Sequence, residues 1–239
     1  VSRVEGMIVR LELGKAQGIM PRSEQIQGER YYPSQRLKVY LKDVERGPRG
    51  PQLVVSRGNT QFMEWLFRAE VPELEAGAVE IKNIAREAGV RSKIAVASTV
   101  AGVDPVSTFV GGHGTRVNAV VGEVGEQEKI DIIVFDDDTA QYIMNALSPT
   151  KVNRVAIDES AKRAKVYVPE DQLSIAIGRG GQNVRLASKL VGYELDIEAE
   201  KQAVVEGEPQ VKELPKQPKL KKKEQLESSL LDAIEEHGE

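Results

Sequence analysis

The chain contains no cysteine, which excludes disulfide bonds and thiolate metal sites and points to a reducing compartment. Histidine is nearly absent: His113 and His237 are the only two, and a histidine-based metal cluster is not expected. No long apolar run and no signal-like segment occurs, so the chain is expected neither to span a membrane nor to be exported. No charge of one sign dominates, since 33 basic and 37 acidic residues leave a net charge of −4 over 239 residues. That average does not suggest a polyanion as partner, but a polyanion responds to the local patch. Catalytic groupings are missing too. Ser56 and Ser174 have no histidine partner, and Asp136-Asp137-Asp138 lies between a strand and a helix, where it reads as a helix cap. No enzyme, metal or cofactor is expected. What remains, 40% hydrophobic and 29% charged residues, describes a soluble chain with two or three small domains. It opens on Val1-Ser2-Arg3 in what reads as mid-domain, and a fragment of a longer protein is expected.

The most informative stretch runs from Val168 to Gly192. Two short apolar patterns of helical spacing, Leu173 to Ile177 and Val184 to Val191, flank Gly178-Arg179-Gly180-Gly181. Glycines at both ends let the backbone turn tightly and let a large group approach bare main chain. The following helix begins at once, so its free N–H groups and positive dipole end face whatever fills the loop, a phosphate above all. A P-loop needs Lys-Ser or Lys-Thr after the last glycine, and here Gln182-Asn183 follow. A lone GxxG is usually only a turn between helices. Here the pattern occurs twice. Residues 60–135 read helix, strand, strand, helix, Gly111-Gly112-His113-Gly114, helix, strand, and residues 139–197 repeat that order around the second loop, about seventy residues on. A helix–GxxG–helix unit that clamps a nucleic-acid backbone resembles a KH domain, and the helix-first order with a C-terminal strand is that of type II.

Ahead of this pair, residues 1–59 read as short strands: Met7–Leu13, Gln17–Pro21, a period-two run over 35–44 with Leu37, Val39 and Leu41 on one face, and a closing strand from Gln52 to Arg57. A helical turn capped by Ser23 is expected between the second and third. Residues 13–21 and 53–57 resemble an S1-type barrel of the OB class, with its first strand largely missing. RNA contact from it would rest on Lys15, Arg22, Arg36, Lys38 and Arg57. Trp65 is expected in the core of the helix that follows. The fold class is therefore α+β: a partial OB-fold barrel over 1–59, a first KH domain over 60–148, a second over 149–200 with its N-terminal helix at about 139–147, and a mostly disordered charged tail over 201–239. In that tail the Lys219–Lys223 block and Leu226, Leu230, Leu231 and Ile234 leave open a short docking helix.

Each KH unit is expected to hold a sugar–phosphate backbone on loop N–H groups while an apolar groove beside it takes the bases. The candidate residues are Gly111, Gly112, His113, Gly114 and Arg116, with Arg91 and Lys93 leading into the adjoining strand. In the second unit they are Gly178, Arg179, Gly180, Gly181, Gln182, Asn183 and Arg185. The segments Glu70–Leu74, Val79–Val96, Glu128–Ile133, Asn145–Pro149 and Asp171–Ala187, in this order behind an S1-type barrel, resemble the NusA family of bacterial transcription factors. The resemblance implies a cytoplasmic, non-enzymatic protein that binds single-stranded nascent RNA. It implies RNA polymerase as partner, largely through a domain this chain lacks, and possible contact with other antitermination factors. Two alternatives stand beside it: a protein-docking scaffold, and an accessory module of a phosphorolytic nuclease, in which a single KH unit precedes the barrel rather than following it.

Overall fold

The computed structural model describes residues 1–47 and 50–200. The tail over 201–239 lies outside the described residues. Five strands open the chain: β1 (Arg3–Glu5), β2 (Ile8–Leu13), β3 (Ala16–Pro21), β4 (Tyr40–Gly47) and β5 (Gly50–Ser56). Their order in the sheet is β1-β2-β3-β5-β4, with β3 and β5 parallel and the other pairs antiparallel, which is OB topology. The inward residues Val9, Leu11, Met20 and Val55 make a small core that Tyr31, Leu37 and Val39 cover. Here two expectations change. The strand expected over 35–44 begins only at Tyr40, and Leu41, expected inside, is 51% exposed. β1 has three residues and does not close over β4, so the outer strand's inward face stays uncovered. Residues 34 and 35 pair instead with Val1, whose amino group donates to the Gln35 carbonyl at 2.7 Å. The turn at Arg22–Glu24 is not capped by Ser23; Gln25 holds it by donating to the carbonyls of Met7 and Met20.

The period then switches. Helix α1 (Thr60–Glu70), capped by the Asn59 side chain, buries Phe62, Met63, Leu66 and Phe67. At 100° per residue that stripe centres between Met63 and Leu66 and leaves Trp65 about 130° away. Trp65 is accordingly 44% exposed rather than core. A single turn, α2 (Pro72–Glu75), leads into β6 (Val79–Glu87) and β7 (Arg91–Ser98). Then come α3 (Pro105–Val110), capped by Asp104, α4 (Thr115–Val124) and β8 (Lys129–Val134). The second unit repeats this with α5 (Thr139–Ala146), β9 (Arg154–Asp158), β10 (Arg163–Pro169), α6 (Leu173–Ile177), α7 (Gln182–Val191) and β11 (Glu194–Glu200). Asp138 caps α5, as the acidic run suggested. In each three-stranded sheet the middle strand pairs antiparallel with its predecessor and parallel with the strand after the loop.

The two units share an interior. β7 carries five consecutive buried residues, Ser92 to Val96, the mark of a strand covered on both faces. Ile94 and Val96 face the first unit's own helices; Ala95, on the opposite face with Ala85 and Ile133, joins the core built from α5, α6, α7 and β10. The barrel is tied to the first unit by Arg57, whose side chain is 1% exposed. Its guanidinium donates to both carboxylate oxygens of Glu29, to the Lys38 carbonyl, and to the carboxylate and carbonyl of Glu123.

Candidate nucleic-acid interface

The two glycine loops adopt the same backbone conformation. Gly111 stands at φ 75°, ψ 169° and Gly178 at φ 75°, ψ 170°. The third positions, His113 (54°, 24°) and Gly180 (60°, 26°), are left-handed, and so are the fourth, Gly114 (78°, 13°) and Gly181 (72°, 15°). Each first glycine donates back to the helix before it, Gly111 to Ser107 and Gly178 to Ser174, both at 2.9 Å. Each fourth donates to the first carbonyl, at 3.1 Å in both loops. Among the described residues the N–H groups of Gly112, His113, Arg179 and Gly180 make no such bond. A right-handed residue followed by a left-handed one turns successive N–H groups toward one point, a concavity that suits an anion oxygen. The loops therefore offer two equivalent pairs of open donors, each at the head of a ten-residue helix.

Gly178 tolerates no side chain. Its φ is positive, and a Cβ there would stand 2.8 Å from the Asn183 Cβ and 2.9 Å from the Asn183 nitrogen. Gly178→Ala is expected to destabilise the protein by about 1–3 kcal/mol, the cost of a residue held in a region open only to glycine; a chemical denaturation midpoint checks it, and an unchanged midpoint contradicts it.

The candidate side chains separate into two groups. Arg179 is exposed at the tip of its loop and makes no ion pair among the described residues, and His113 is exposed at the other tip. The rest are engaged. Arg116 donates to the Thr108 carbonyl at 2.7 Å and pairs with Glu73 at 3.0 Å. Asn183, 5% exposed, donates to the carbonyls of Ile175, Ala176 and Leu147. Arg116 and Asn183 occupy matching positions, and both close off the helix before the loop, so they shape the site from behind. Arg91 pairs with Asp131 at 2.7 Å. Lys93 is a correction: it is fully buried, with its ammonium 3.4 Å from both Asp131 and the Ser148 carbonyl, and burial holds its pKa below the usual lysine range. It lies on the face of β7 that the second unit covers, where no strand reaches it. Arg57 leaves the barrel's set of candidate cations for the same reason. Gln182 and Arg185 both bind Glu87 of β6, at 3.0 Å and 2.7 Å.

Two exposed residues were missed. Ile175 and Ile177, 45% and 37% exposed, stand on α6 next to the second loop, though their spacing reads as core. The signal was available in the helix length: a five-residue helix that buries Ala176 and half-buries Leu173 sets Ile175 on the opposite side. Two positions apart, they stand about 200° from each other around the helix and present separate apolar patches.

Two family models match the chain, one described as the NusA-like first KH domain over residues 57–135 and one as the NusA-like second KH domain over 139–204. Similar curated proteins bear the name transcription termination/antitermination protein NusA. That of Thermus thermophilus is 52% identical over 190 residues, which cover 80% of this chain and 49% of the relative. That of Bacillus subtilis is 46% identical over 203 residues, covering 85% and 54%. That of Mycobacterium tuberculosis is 45% identical over 207 residues, covering 85% and 59%. The chain thus spans about half the length of the curated relatives it matches.

Proposed function

Because the chain belongs to the NusA family, with an S1-type barrel ahead of tandem KH domains, we propose that it is a non-enzymatic module binding single-stranded RNA along both glycine loops. The observation that carries this reading is the duplicated loop conformation, which leaves two open N–H groups in each unit. Each loop takes a phosphate, Arg179 adds a free positive charge at the second, and the bases lie against the adjoining helix. A KH unit clamps about four nucleotides. Since the two units share a core, a strand of about eight nucleotides or more meets both without a flexible linker to order. By the resemblance, the strand is nascent RNA, the setting is cytoplasmic transcription, and the consequence is on pausing, termination and antitermination at RNA polymerase.

Titrating the chain with unstructured RNAs of increasing length tests this. Affinity is expected to rise with length until both units are filled. It is expected to fall with salt at a log–log slope of roughly −0.7 per phosphate contacted. Equal affinity for short and long strands together with a flat salt response overturns the reading.

A further inference from the structure

The second glycine loop is braced by the first KH unit. Arg185, on the first turn of α7, donates through Nη1 to the Gly180 carbonyl at 3.1 Å, inside the loop. The same guanidinium donates through Nε and Nη2 to the two carboxylate oxygens of Glu87, at 2.7 and 3.2 Å. Gln182, the first residue of α7, adds a third bond to Glu87 at 3.0 Å. Glu87 is the last residue of β6, so the chain of contacts runs from the first unit's sheet to the main chain of the second unit's loop. Nearby, the Asn83 side chain of β6 donates to the Leu190 carbonyl near the end of α7 at 2.6 Å, so the helix is held along its length. Among the described residues the first loop has no such brace. Asn118 stands where α7 has Arg185, too short to span to a neighbouring unit, and Arg116 secures that loop within its own unit through the Thr108 carbonyl and Glu73.

We propose that Glu87 is a positioning residue for RNA binding at the second loop, acting through Arg185 on the Gly180 carbonyl without touching RNA. This rests on the RNA reading of the loops. Its consequence is that docking of the two units adds a restraint to the second clamp, which the first loop, of the same conformation, takes from within its own unit. Arg185 is then a brace whose charge is spent on Glu87. The bound guanidinium holds the Glu87 carboxyl below the usual carboxylate range, in keeping with an ionised pair at neutral pH.

The sign of one substitution separates positioning from simple electrostatics. Glu87→Gln removes a negative charge beside an anionic strand, so charge alone predicts tighter binding. Positioning predicts weaker binding of an unstructured RNA of about eight nucleotides, by about three- to tenfold, in the lower part of the range for coupled neighbours. Arg185→Lys keeps the charge but loses the planar fork, and the same loss is expected. The double variant is expected to lose no more than either single one. In a two-dimensional NMR spectrum of the free protein, the Gly180 and Gly181 amide signals should move in Glu87→Gln while those of Gly112 and Gly114 stay. If Glu87→Gln binds as tightly as the parent or tighter while Gly180→Asp still weakens binding, the brace is refuted and the RNA reading stands. If Gly180→Asp also leaves affinity unchanged, the phosphate role of the loop fails and the brace fails with it.

Discussion

Placing aspartate at Gly112 and Gly180 together is expected to reduce RNA affinity at least a hundredfold. Both positions suit the experiment because a Cβ at either meets nothing within 4 Å. Gly112 has no positive φ, and the left-handed conformation of Gly180 is one that aspartate adopts more readily than most residues. Neither change should therefore disturb packing, in contrast to Gly178→Ala. Each puts a carboxylate beside the proposed phosphate seat. Hydrogen bonds to a charged group contribute about 1.5–3 kcal/mol, so losing one loop corresponds to about ten- to a hundredfold. Losing both also removes the gain from two linked sites. Fluorescence anisotropy with a labelled unstructured RNA reads the effect, and a thermal melt checks that the fold survives. A double variant that melts and binds like the parent would falsify the claim that these loops are phosphate clamps.

The second large effect concerns stability. Glu128→Ala is expected to destabilise the protein by about 3–5 kcal/mol, the cost of removing one partner from a buried ion pair. Glu128 and Arg86 have side chains 0% and 1% exposed. The Glu128 carboxylate accepts from Arg86 Nε at 2.8 Å and Nη2 at 2.9 Å, from the Ser92 hydroxyl at 2.7 Å and from the Gly89 N–H at 2.8 Å. Arg86 in turn donates to the carbonyls of Arg57 and Asn59, at the point where the barrel passes into α1. Alanine leaves a buried guanidinium, a hydroxyl and an amide short of partners. For a chain of this size the melting temperature should fall by about 6–20 °C. A fall of only a degree or two means that the network relaxes at little cost, and the junction between barrel and α1 is then secured elsewhere.

The glycine loops were legible in the sequence because their conformation is written in residue type: positive φ at Gly111, Gly114, Gly178, Gly180 and Gly181 is what glycine permits and most residues resist. The order of helices and strands was legible twice over, since period and punctuation are local. His113, left-handed where the second loop has Gly180, shows that the same turn forms without the third glycine. Lys93, Asn183 and Arg57 were not legible as structural residues. Each looks like a surface group for RNA, and each is buried by contact with a segment distant in sequence: Arg57 meets Glu123 across 66 positions, and Asn183 meets Leu147 across 36. Trp65 went the other way. A bulky aromatic reads as core, but four neighbours on α1 already fill the buried stripe.

Local pattern was enough to establish the repeated unit, the two loops and the family, because turns, caps and periodicity depend on residues within a few positions of one another. Which polar groups remain free to meet a ligand was settled by docking. Covering the open face of β7 with the second unit buries Lys93, and bringing β6 against α7 commits Arg185 to Glu87. Burial and pairing across 98 positions follow from the packing of whole sheets and helices, which no short window of residues encodes.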